Sequence, residues 1–236
     1  MTAKLIVSID NEEEGLGGGQ YRSTGNTVEN VCAGVPRFQE LCDQFQIPPT
    51  YVIDAPVVSD PGCVELLRSI QDDGRCEIGT HVHPWCNPPG DTYWDKQTSF
   101  LCNLPESLQR KKIEWLTDEI EKQFDRRPTS FRAGRYGLDI VGANILRELG
   151  YRVDSSVIPF SSWASEGGPN FERAPHTPYF IGERGICEQC ASGSLLEVPV
   201  SVGFNRPNFE RARAIRDVAM LPWLRRLRSV GILYRL

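Results

Sequence analysis

The chain has 236 residues, 40% of them hydrophobic and 9% aromatic, with 26 basic and 31 acidic side chains and a formal net charge of -5. That supports one substantial core and excludes a disordered chain. No apolar run approaches the ~18 residues of a spanning helix, and the mildly acidic balance argues against a general nucleic-acid binder. Asp10 interrupts the first apolar run too early for a signal peptide, so a cytoplasmic location is expected. The eight cysteines are then expected as free thiols. Cys187-Glu-Gln-Cys190 lacks the second pair that a zinc ribbon needs, and loop cysteines without a role are the plainer expectation.

Short β-rich runs alternate with helical patterns. A buried strand is expected at Lys4–Ile9, then a helix through Val31, Val35, Phe38, Leu41 and Phe45 that stops at Pro48-Pro49. Thr50–Ile53 is the next strand, Gly62–Gln71 the next helix, and Cys76–His83 a third strand closed by Pro84. Leu108–Phe124 reads as an amphipathic helix, Thr129–Arg132 as a strand, Leu138–Leu149 as a helix and Tyr151–Val153 as a strand. After a long loop, Leu195–Val202 supplies one more strand. With no repeat and no linker, residues 1–236 are expected to form one domain.

Repeated β-then-α units predict a parallel sheet with helical crossovers. Asp10, Asp54, His81, Arg132 and Asp154 all fall at or just past strand ends. In an open sheet only the strands beside the switch point carry a site, whereas in a (β/α) barrel every strand reaches one rim. The fold class expected is therefore α/β, a (β/α) barrel.

Four groups of residues suggest chemistry. Asp10, Glu12, Glu13 and Glu14 place four acids within five positions, which suits a solvated loop or a cation site. The glycines from Gly15 to Gly19 lack a following helix and adjoin those acids, which excludes a dinucleotide loop. His81 and His83 stand two apart on a strand, so both imidazoles can face one divalent ion; a structural pair is the plainer alternative. Arg132, before the Gly-bracketed turn Gly134-Arg135-Tyr136-Gly137, can orient a carboxylate while the turn exposes a backbone N–H. Asp154 can pair with a rim Arg or cap the next segment.

In this order, Asp10/Glu12, Gly79-Thr80-His81 with His83, Arg132-Ala-Gly-Arg-Tyr136-Gly and Asp154-Ser-Ser resemble the polysaccharide deacetylases with a NodB-homology domain, over roughly residues 4 to 203. The resemblance implies a distorted (β/α) barrel that binds a divalent metal, often zinc, and removes acetyl groups from N-acetylated, sometimes O-acetylated, saccharides. It implies Asp10 as general base, Arg132 as its tether, Tyr136 as the residue whose amide helps hold the oxyanion, and Asp154 as the acid of the fourth motif. Where the family has a second Asp, this chain has Asn11, so Glu12 is the expected ligand beside His81. The family's second histidine falls at Trp85, and His83 is expected to replace it. Trp85, Trp94 and Trp163 are candidate sugar-stacking surfaces.

The family's closing Leu-x-His motif has no counterpart, since His176 lies in Ala174-Pro-His-Thr-Pro178. Residues 211–236 are Arg-rich, expected helical to about Leu227, and end on an apolar run, so a barrel lacking its last strand and helix is expected, with a membrane-surface helix as the alternative for the basic stretch. The function expected is metal-dependent deacetylation of a saccharide. A metal-independent C–N hydrolase and a non-catalytic saccharide-binding barrel are the alternatives.

Overall fold

The computed structural model describes residues 4–15, 21–90, 94–203 and 209–219. The chain divides into two compact units, 1–200 and 201–236.

The first unit is built on an eight-stranded sheet in the order β1-β2-β3-β4-β5-β8-β6-β7. Its strands are β1 (Ser8–Asn11), β2 (Thr50–Ile53), β3 (Glu77–Val82), β4 (Ser130–Ala133), β5 (Val153–Asp154), β6 (Tyr179–Ile181), β7 (Gln189–Cys190) and β8 (Leu196–Glu197). The run from β1 through β5 to β8 is parallel, and β6 lies antiparallel between β8 and β7. Helices α1 (Glu29–Gln44), α2 (Ala55–Ser59), α3 (Pro61–Asp72), α4 (Glu106–Phe124) and α5 (Ile140–Glu148) supply the crossovers that parallel pairing demands. This is the expected α/β architecture of barrel type. Among the described strands β1 pairs only with β2 and β7 only with β6.

The first strand begins four residues later than expected. Its ladder opens at Ser8↔Thr50, because the prolines at 48 and 49 have no N–H to donate, and Leu5 and Ile6 are left 71% and 60% exposed. The shift puts Asp10 inside the strand, on the same face as Ser8. Helix α2 was not expected, although Asp54 caps it through the Val57 N–H (3.0 Å), and Pro56 stands in its first turn. Asp60 and Pro61 repeat that signal at α3. Of the expected strand at Leu195–Val202 only Leu196–Glu197 is laddered, and β6 and β7 occupy part of what read as loop.

Helix α4 turns Ile113, Leu116, Ile120 and Phe124 onto the sheet at helical spacing, each worth about 1.5–3 kcal/mol on burial. The fully buried Lys112 on the same helix donates to Asn87 O (2.5 Å) and Pro89 O (2.7 Å), and Asn87 Nδ2 donates back to Lys112 O (3.0 Å). These bonds clamp the turn that follows β3 and so fix where His83 and Trp85 stand. Cys32 and Cys63 are joined as a disulfide between α1 and α3, with Cα atoms 5.6 Å apart, where free thiols were expected; the pairing spans 31 residues and had no local signal. The remaining six cysteines, Cys187 and Cys190 included, are free.

The second unit contains α6 (Phe209–Ala219), the described part of the Arg-rich stretch; residues 220–236 lie outside the described residues. No helix among the described residues is long and apolar enough to cross a membrane.

Candidate active site

The C-terminal ends of β1, β3 and β4 meet at a cavity of about 290 Å³. Asp10, Glu12, His81 and His83 line it together with Trp85, Tyr21, Arg135 and Tyr136. Asp10 and Glu12 are two apart in extended chain and face the same way, whereas Asn11 between them is buried and does not line the cavity.

His81 ends up beside Arg132 because the two are paired across β3 and β4. Its Nδ1 lies 2.9 Å from the Arg132 carbonyl, which can only accept, so Nδ1 carries the proton and Nε2 turns to Glu12 Oε2 at 3.1 Å. His83, one residue past the strand, lies with its ring centroid 4.5 Å from that of His81 and its Nε2 3.2 Å from the same Glu12 oxygen. Its Nδ1 is 2.7 Å from Glu13 Oε2. Three acceptor atoms, Glu12 Oε2, His81 Nε2 and His83 Nε2, therefore converge. Such a set needs a proton or a cation at its centre, and one carboxylate with two imidazoles is a zinc-type donor set. The residues present fit a divalent ion.

The electrostatics agree with that geometry. Burial opposes ionisation of Glu12, yet hydrogen bonds from both imidazoles bring it down to about 2. Glu13 is likewise held well below the usual carboxylate range by Asp54, His83 and the Trp85 N–H, against its burial. Asp54, fully buried beside Glu13, is pushed well up. Burial disfavours a charge on His83, but Cys86, Glu12 and Glu13 raise it well above the ordinary imidazole range. The proton on its Nε2 is the one a divalent ion would replace.

Arg132, on β4, does not line the cavity; it is buried behind Asp10. Its guanidinium pairs with Asp10 and with Ser8, and donates to Ser155 O and Oγ, each at 3.0 Å. Both fork edges are thus used, which fixes the Asp10 carboxylate in place. Beyond Arg132 the chain turns sharply. Arg135 and Tyr136 adopt φ of 53° and 57°, two successive non-glycine residues in the left-handed region. A Cβ on Gly134 would lie 2.2 Å from His83 Cδ2, so only glycine lets this turn pass against the imidazole.

Several expected residues sit elsewhere than expected. Asp154 does not line the cavity; it is fully buried, accepts from Ser156 Oγ (2.6 Å) and stands opposite Glu197 in the β5–β8 register. Arg132 makes its ion pair with Asp10 and not with Asp154. Trp85 touches the cavity but is 2% exposed, because its ring stacks on His83 (4.4 Å, 24°) and its N–H donates to Glu13 Oε1 (2.5 Å). Trp94 lies under the Lys112 ammonium (4.9 Å) and is not a lining residue. Trp163 is half-buried, 5.7 Å from the Tyr136 ring, and so flanks the site. His176 is exposed beside Phe160, outside the cavity. Tyr21 was not expected in the site; Glu13 and Asp54 were noted only as part of the acidic run and as a strand-end acid, with no role given to either, and Glu13 left a faint signal: Trp85 and His83 each need a buried acceptor.

No family model matches the chain, and no curated protein sequence matches it. Solved structures do. A protein from Mycobacterium smegmatis named as a polysaccharide deacetylase aligns with 84% of the chain at 21% identity and a TM-score of 0.50. A glycoside hydrolase/deacetylase named from Parabacteroides distasonis aligns with 86% at 14% identity and 0.56, and the PuuE allantoinase with 84% at 16% and 0.52. The chain spans 61%, 45% and 61% of those three proteins. What it shares with them is the fold, the distorted α/β barrel of the deacetylase type.

Proposed function

We propose that this chain is a divalent-metal-dependent hydrolase that removes the acetyl group from an N-acetylated saccharide. One observation carries the proposal: Glu12 Oε2, His81 Nε2 and His83 Nε2 converge in the cavity that Asp10 also lines, and Arg132 pairs with Asp10 from behind. Glu12, His81 and His83 would hold the ion, with zinc suiting their donor set, and when bound it supplies Lewis acidity to the acetamide carbonyl and to water.

The chain's own residues do the rest. Asp10 takes the proton of the attacking water, and the paired Arg132 guanidinium holds its carboxylate in position. The Tyr136 amide, on its left-handed turn, would serve as an oxyanion donor. Trp163, beside Tyr136, offers a stacking face to a sugar ring. Asp154 supports the end of β4 indirectly, since Ser156 Oγ both donates to it and accepts from Ala133 N (2.9 Å).

Acetate release from N-acetylglucosamine oligomers tests this. Activity should be lost with chelator and restored by zinc. Protein that carries no metal and releases no acetate with added zinc overturns the proposal. The allantoinase likeness and the small cavity favour a second reading, metal-free hydrolysis of a C–N bond in a small cyclic amide, which chelator-insensitive turnover would select.

A further inference from the structure

We infer that Glu13, which lies outside the proposed ligand set, is the positioning residue that keeps a proton on His83 Nδ1 and thereby presents Nε2 to Glu12. The proton placement stands on hydrogen bonds alone; only its consequence for ion affinity rests on the metal-dependent function proposed above.

Every polar group around Glu13 is committed. Its side chain is 1% exposed, and Cys86 Sγ lies 3.6 Å from its Oε1 as a weak donor. Oε1 accepts from Trp85 Nε1 at 2.5 Å, and an indole N–H can only donate. Oε2 lies 2.7 Å from His83 Nδ1. The Glu13 main-chain N–H donates to Asp54 Oδ2 at 2.8 Å, and Asp54 is itself tied to the start of α2 through Val57. The Trp85 ring stacks on His83 (4.4 Å, 24°), and the Gly134 backbone lies close against its Cδ2, which limits how far the imidazole can tilt. His81 has a main-chain carbonyl in the same role. The two imidazoles thus have different proton holders, and only that of His83 can be changed by mutation. A carboxylate behind a ligating imidazole fixes its tautomer and raises its basicity.

Glu13→Gln probes this because glutamine has one acceptor oxygen where glutamate has two. Trp85 Nε1–H and His83 Nδ1–H then compete for it. If the oxygen serves Trp85, the amide NH₂ faces Nδ1 and drives the proton to Nε2, where it blocks the ion. If it serves His83, the indole N–H is buried without a partner, a defect of about 1–3 kcal/mol. Trp85→Phe removes the competing donor and keeps a ring on His83. In Glu13→Gln/Trp85→Phe the amide oxygen is free to accept from Nδ1.

The experiment measures zinc affinity by chelator competition in the wild type, Glu13→Gln, Trp85→Phe and the double variant, with ¹H–¹⁵N spectra of the imidazoles. The wild type should carry a proton on His83 Nδ1 both zinc-free and zinc-loaded. Glu13→Gln should bind zinc about 10–100-fold more weakly, and the double variant should recover most of the loss. A merely structural role for Glu13 gives no such rescue, and that result overturns the inference. So does a wild-type spectrum with Nδ1 unprotonated, which holds even if the variants fail to fold. A wild type that shows the Nδ1 proton but takes up no zinc supports the proton placement and overturns the metal-dependent function instead.

Discussion

Two groups of carboxylates, all buried but the half-exposed Glu12, lie at the C-terminal ends of one sheet in opposite surroundings. Around β1 and β3, Glu12, Glu13 and Asp54 meet His81 and His83 beside an open cavity. Between β5 and β8, Asp154 and Glu197 stand in register, both 0% exposed, with Ser156 Oγ donating to one (2.6 Å) and Val157 N to the other (3.1 Å). Asp154 Oδ2 and Glu197 Oε2 are both buried without a hydrogen-bond partner. Burial raises both acids, Glu197 well above the carboxylate range, which favours a proton shared by the pair. The same residue type is a ligand-type site where imidazoles and a cavity accompany it, and a closed structural joint where neither does.

The largest expected effect breaks the first group. His81→Ala removes a convergent nitrogen and should lower metal affinity by more than the about 10–100-fold typical of a supporting residue, taking acetate release with it. Equilibrium dialysis with zinc checks this. Next, Arg132→Lys keeps the charge but loses the fork that spans Asp10 and Ser155. Because His81 is held by the Arg132 carbonyl and not by its side chain, metal content should stay at the wild-type level while kcat falls about 10²–10⁴-fold, the usual share of a general base. Gly134→Ala should force His83 aside, costing about 1–3 kcal/mol of stability by overpacking, and should weaken zinc binding; denaturant unfolding and chelator competition measure the two.

The smallest effect belongs to the closed pair. Glu197→Gln is expected to change stability by less than about 1 kcal/mol near neutrality, since the shared proton already makes one acid amide-like. The sign with pH is definite. A carboxyl raised on folding contributes stability that is complete below its unfolded value of 4.5 and is lost as pH rises through its folded value. Glutamine has no such proton, so the variant should gain on the wild type as pH increases. Unfolding free energies measured from pH 5 to pH 9 should show that gap closing or reversing; a gap constant across that range contradicts the shared proton.

Much of the first group was legible because its geometry is local. The spacing of His81 and His83 on one strand and the reach of Glu12 from Asp10 follow from the two-residue repeat of extended chain. Thr50–Ile53 was bounded by its prolines and matches β2 residue for residue. The second group was illegible because its partners are not neighbours in sequence: β5 pairs with β8 across the insertion that holds β6 and β7, so nothing near Asp154 announces Glu197. Glu13 was hidden differently. Within a run of acids it reads as solvent-facing, and its burial becomes visible only once Trp85 folds over His83. The Cys32–Cys63 bond is likewise a product of how α1 meets α3.

Elemental analysis of protein purified without chelator tests the central claim most directly. One divalent ion per chain is expected in the wild type, lost in His81→Ala and retained in Arg132→Lys. A metal-free wild type, or an ion that His81→Ala leaves in place, would contradict it.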